Sequence, residues 1–139
     1  MKQLQSFFNN NKWAILSGIL IGTSYLPFPP WALGFGYLPL WLDFYFHPTT
    51  AKQAFKKAWI TQFVLSVIGF YWIFIVSKEY GYLPSIVAGL LLILFASTMH
   101  IYIAVAHYLG FTLIKSTRMA SLDSKIKLPT ILLMTIGLI

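Results

Sequence analysis

A chain of 139 residues that is 58% hydrophobic and only 9% charged cannot coat itself with a water-soluble surface, which in ordinary globular domains takes about a quarter charged residues. The net charge of +7 comes from lysines and one arginine placed where apolar runs end, a pattern that argues against a nucleic-acid partner and for a chain oriented in a membrane. Cysteine is absent, which removes disulfides, thiolate metal sites and a cysteine nucleophile from these residues.

Lipid satisfies no backbone polar group, so spans are helices or closed barrels. Runs such as Ile86 to Phe95 do not alternate polar with apolar positions, which leaves helices. In chain order, residues 1–12 carry Lys2, Lys12 and the run Asn9 to Asn11 and read as a cytoplasmic N-terminal segment. Residues 13–46 read as a short membrane helical hairpin. Its arms run from Trp13 to Leu26 and from Trp31 to Phe46, each at or below the usual spanning length. Pro27, Pro29 and Pro30 force a non-helical corner between them. Two thin spans and one re-entrant hairpin are both open, and a signal peptide is the competing reading of the first arm, against which the continued hydrophobicity of the chain weighs. Asp43 is expected at the water interface near Lys52, Lys56 or Lys57.

Residues 47–58 hold three lysines and no acid and read as a basic cytoplasmic loop. Residues 59–114 read as a transmembrane helix pair. The first helix stays uncharged from Trp59 to Ser77, about 19 residues and therefore close to the roughly 30 Å hydrocarbon thickness. Lys78 and Glu79 end it, and Gly81 and Pro84 turn the chain through a short outer loop, 78–84, into the run from Ser85 to Ile114. Residues 115–127 form a second basic cytoplasmic loop. Residues 128–139 are apolar but too short to cross a bilayer, so the chain is expected to stop in mid-span, as a fragment or a truncated reading frame would. Alternating sides from a cytoplasmic N-terminus puts nine of the ten basic residues inside and Lys78 alone outside, the positive-inside pattern. The expected architecture is an all-α, polytopic membrane helix bundle of about four transmembrane helices plus an incomplete fifth.

Chemistry is sparse. His100 and His107, seven apart on one helix face, lack a third ligand, so no metal or other cofactor is expected. Gly18 with Gly22 and Ser85 with Gly89 are spaced for close helix approach. No nucleophile, base and orienting group stand together, so no catalytic residue is assigned. The candidates for a lipid- or substrate-facing outer rim are Tyr71, Trp72, Lys78 and Glu79. With Ser77 as the outer edge, Trp72 falls about a turn and a half inside it; belt anchoring and the lining of a lipid-access cleft are both open for it. A transporter has little support from so few intramembrane ionisable groups.

Gly69-x-x-Trp72-x-x-x-Val76-Ser77 followed by Tyr80-Gly81-x-x-Pro84 resembles the signature of the N-terminal membrane region of apolipoprotein N-acyltransferases. The segment from Gly18 to Trp31, ending Leu26-Pro27-Phe28-Pro29-Pro30-Trp31, is similar to that family's first membrane hairpin. The likeness covers about residues 13 to 114. It implies a bacterial inner-membrane bundle that carries a periplasmic nitrilase-like domain with a Glu, Lys and Cys triad. That enzyme moves an acyl chain from a phospholipid, through a cysteine thioester, to the N-terminal cysteine amine of an apolipoprotein. No position here can receive the triad. The expected role is therefore the membrane part of such a protein, with membrane phospholipid, and an apolipoprotein substrate or a separate nitrilase-like catalytic domain, as its partners. The alternative is a small non-enzymatic membrane protein, a remnant or an assembly partner.

Overall fold

The computed structural model describes residues 2–25, 27–32, 34–47 and 49–116, which are mostly helical with no strand among them. Six helices follow in order: α1 Lys2–Gly22, α2 Leu38–Phe46, α3 Ala51–Gly69, α4 Trp72–Glu79, α5 Ser85–Thr98 and α6 Ile101–Ser116. The expected apolar segment 128–139 and most of the basic loop 115–127 lie outside the described residues.

The polar N-terminal segment is helical, forming the first three turns of α1. It holds no proline or glycine before Gly18, and Asn11 Nδ2 donates to the Phe7 carbonyl at 2.8 Å, within the helix. α1 ends where Thr23 and Ser24 turn their hydroxyls back onto the Ile19 and Leu20 carbonyls. The corner that follows is tied down by two bonds. Ala32 N donates to Ser24 Oγ at 2.8 Å, and Trp31 Nε1 donates to the Thr23 carbonyl at 3.2 Å. This corner consumes the first half of the expected second arm, so α2 has nine residues and starts with a proline in its first turn. One of its unpaired first-turn amides, Leu40 N, is capped from outside by the buried Ser17 Oγ of α1 at 3.0 Å.

α3 begins eight residues before the expected Trp59. The reason is a reciprocal cap: Gln53 N donates to Thr50 Oγ1, and Thr50 N donates to Gln53 Oε1. The expected single span from Trp59 to Ser77 is broken after Gly69, and α4 leaves at 48° to α3. A Cβ on Gly69 would lie 2.8 Å from Tyr25 Cβ, so the glycine admits the α1–α2 corner at the bend. The run from Ser85 is interrupted at Met99 and His100. Just before the break, Ser97 and Thr98 hydrogen-bond back to the Ile93 and Leu94 carbonyls, a pattern that bends helices. Ser85–Thr112 still forms one apolar helical stretch of 28 residues, long enough to cross a membrane; α3 with α4 makes a second if the bent pair counts as one span.

α1 and α3 run side by side in parallel. Ala14 meets Thr61, Gly18 meets Thr61 and Val64, and Gly22 meets Leu65 and Ile68. The Gly18 and Gly22 pair thus does what its spacing suggests, whereas Gly89 faces open space and sets no helix packing. The α5–α6 stretch returns antiparallel along α3. Phe95 and His100 lie beside Phe70 at one end, and Val105 and Tyr108 lie beside Lys52 and Phe55 at the other. A core of Ala14, Ile21, Leu40, Trp41, Phe44 and Leu65 fills the α1–α2–α3 contact. Through it runs a seam of buried polar groups, Ser17, Thr61, Gln62 and Ser66. Thr61 Oγ1, fully buried, lies 2.9 Å from the Ala14 carbonyl and 3.1 Å from its own Lys57 carbonyl. Thr61→Val keeps the shape and deletes the bond across helices. It is expected to cost about 1 kcal/mol, read as a shift in the unfolding midpoint in detergent micelles.

Candidate lipid-facing rim

The rim is built at the end of the molecule away from the starts of α1 and α3. The α3–α4 bend places Phe70 at the centre of an aromatic cluster, with ring centroids 5.1 Å from Tyr25, 5.4 Å from Phe95, 5.8 Å from His100 and 6.5 Å from Trp72. Tyr71 sits beside Phe28 of the proline corner at 6.2 Å. Tyr71 is 38% exposed and Trp72 44% exposed, so each has one face on this cluster and one free. α4 buries none of its residues. Its apolar side chains Ile75 and Val76 are open to the surroundings, which suits a helix bathed in lipid and not in water.

Lys78 and Glu79 are at the far end of α4. They pair with each other at 3.6 Å with both side chains about half exposed or more, a geometry that contributes little stability. They lie six and seven positions along the helix from Trp72, about 10 Å. The four candidates therefore form two groups and not one: an aromatic pair at the bend, and a charge pair at the tip. Beyond the tip, Tyr80 and Tyr82 are the most exposed aromatic residues of the turn, and Tyr82 has a φ of 51°, an uncommon conformation for a residue with a side chain. Gly81 is required there, since a Cβ would lie 2.6 Å from the Ser77 carbonyl.

Phe28 and Phe70 belong to this site and were not singled out from the sequence. Their signal was available, since Phe28 lies in the proline corner and alternation already puts that corner at the same end as Tyr71. His100 and His107 meet different partners. The break at residues 99–100 puts His100 before α6, where its Nδ1 lies 3.2 Å from Ser66 Oγ, while His107 Nδ1 lies 2.8 Å from the Ile103 carbonyl. Among the described residues no three His, Cys, Asp or Glu side chains gather as a metal site would require. Asp43 pairs with Lys57, one of the three expected lysines, and also with His47, yet it is only 6% exposed and lies inside the bundle instead of at its surface.

The apolipoprotein N-acyltransferase N-terminal domain model matches residues 17–136. An apolipoprotein N-acyltransferase of Bdellovibrio bacteriovorus is 50% identical over 110 residues, which cover 76% of this chain and 20% of that relative. The chain thus spans about a fifth of the relative's length. No solved structure matches it. With most of its length inside the family model, this chain is a membrane protein of the apolipoprotein N-acyltransferase N-terminal domain family.

Proposed function

We propose that this chain is the membrane-embedded part of an N-acyltransferase system, a polytopic inner-membrane bundle that presents phospholipid to a nitrilase-like catalytic domain outside these residues. In this reading α1 with the corner and α2 form the hairpin, the α3–α4 pair is a third pass, and the α5–α6 stretch is a fourth. The starts of α1 and α3 and the end of α6 face the cytoplasm. Tyr71 and Trp72 line the entry of a phospholipid acyl chain at the opposite face, and Lys78 with Glu79 stand at the headgroup level there, near the catalytic domain and its apolipoprotein substrate.

The observation that supports this best is the direction of the helices. α1 and α3 are parallel and the α5–α6 stretch runs back along them, so Lys52, Lys56 and Lys57 share one end while Lys78 and Glu79 occupy the other. Such an arrangement has the charge asymmetry of a bundle oriented by its basic loops.

A chimera tests the reading. The homologous N-terminal region of the Bdellovibrio bacteriovorus relative is replaced by this chain, and N-acylation of a lipoprotein is followed by mass spectrometry in cells depleted of their own enzyme. The chimera is expected to restore N-acylation, and Trp72→Ala within it to lower the rate about tenfold while the protein level holds. An inserted, stable chimera with no acylation would contradict the proposal.

A further inference from the structure

The opposite end of the bundle holds a feature the rim does not explain. Between the first turns of α1 and α3 lies a cavity of about 500 Å³, within the roughly 300–1,000 Å³ of ligand clefts. Its wall is unlike the rest of this apolar chain. Ser6, Asn10 and Asn11 come from α1, and Gln53 and Lys56 from α3, with Phe7 as the apolar side. Gln53 Oε1 is turned toward Thr50, whose N–H and hydroxyl both reach it, which leaves the amide N–H groups of Gln53 for another acceptor.

The charge of this wall is unbalanced. Lys57 also borders the cavity, but Asp43 neutralises it at 2.5 Å. Lys56 has no acid beside it among the described residues; its ammonium rests over the Phe7 ring, 5.2 Å from the centroid. A cation surrounded by hydroxyl and carboxamide donors, with no carboxylate in the wall, is suited to an anion with several acceptor oxygens. Outside the cavity wall, Leu4 is 67% exposed and Phe8 53% exposed on the same turns of α1. An anion bound here would have greasy side chains within reach of whatever it is attached to.

We propose that this cavity binds the phosphate of an anionic phospholipid from the leaflet on the lysine side, with Lys56 as its countercharge, Asn10 and Gln53 as hydrogen-bond donors, and the acyl chains lying along Leu4 and Phe8. The site lies at the opposite end of the bundle from the rim and does not depend on acyl transfer, though it rests on the reading that this end of the chain meets a bilayer.

Native mass spectrometry of the full chain in detergent measures retention of phosphatidylglycerol, phosphatidylethanolamine and inorganic phosphate, so the outcome is independent of topology and of any acylation assay. Phosphatidylglycerol is expected to be held in preference to phosphatidylethanolamine. Lys56→Gln should weaken it about fivefold, as one lysine near an anionic lipid surface does. Lys52→Gln, outside the cavity wall, should change it less than twofold. Asn10→Leu keeps every charge and is expected to weaken binding as well, which separates a built site from diffuse attraction. Equal retention of the two lipids, or equal losses from Lys56→Gln and Lys52→Gln, would overturn the proposal. Inorganic phosphate that binds with the same Lys56 dependence while neither lipid is retained would also overturn it, by assigning the site to a free anion.

Discussion

Gly18→Val is expected to separate α1 from α3 and to cost about 3 kcal/mol, toward the upper part of what overpacking a tight contact costs. A Cβ at this position would meet Val64 Cβ at 2.7 Å, the Thr61 carbonyl at 2.8 Å and Val64 Cγ1 at 2.9 Å. Two of these atoms are β-branched side-chain carbons held close to their backbone and the third is backbone, so none can swing aside. Relief has to come from moving the helices apart, which also stretches the bond from Thr61 to the Ala14 carbonyl. Gly89→Val is the matched control, since nothing lies within 4 Å of that Cβ, and it should change stability by no more than about 0.5 kcal/mol. Unfolding in micelles by SDS titration measures both. Equal effects at the two glycines would mean that α1 and α3 do not pack as described.

Lys57→Met is expected to cost about 3–5 kcal/mol, because it strands a buried carboxylate. The Asp43 side chain is 7% exposed and its Oδ2 accepts from Lys57 Nζ; what remains after the substitution is His47, 60% exposed, at 3.1 Å. A charge removed from water is costly unless it is paired and hydrogen-bonded. The penalty belongs to the orphaned partner and not to the pair, so Asp43→Leu combined with Lys57→Met should recover most of the loss. If the single substitution proves neutral in the same SDS titration, the pair is exposed in solution and the α2–α3 contact is looser than the structure has it.

The residues that set the course of the chain were readable in advance. Lysines at the ends of apolar runs, prolines at 27, 29 and 30, and the glycines at 18 and 22 mark which segments turn and which pack, because each acts through its own charge or backbone. Helix starts were not readable in the same way. Gln3, Asn9, Lys52 and Gln53 look like loop in a hydropathy reading, yet polar residues extend a helix freely when no proline intervenes and a capping box is in place. The breaks at Phe70–Tyr71 and Met99–His100 carry no proline, and they depend on contacts distant in sequence, such as Tyr25 against Gly69. The rim shares this mixture. Its aromatic and charged residues stood out, but their division between the two ends of α4 and their packing on Phe28 and Phe70 follow from the bend. Asp43 was matched to its lysine by proximity along the chain, while its burial depended on how α2 folds over α3.

Because the chain has no cysteine of its own, single substitutions give a clean map of which end faces which compartment. Gln5→Cys at the start of α1, Lys52→Cys at the start of α3 and Tyr82→Cys in the turn after α4 each place a thiol at an exposed position. With a membrane-impermeant maleimide added to intact spheroplasts, Tyr82→Cys is expected to label at once, and Gln5→Cys and Lys52→Cys only after lysis. Labelling of Lys52→Cys from outside, or of Tyr82→Cys only after lysis, would contradict a bundle whose parallel α1 and α3 both begin on the cytoplasmic side.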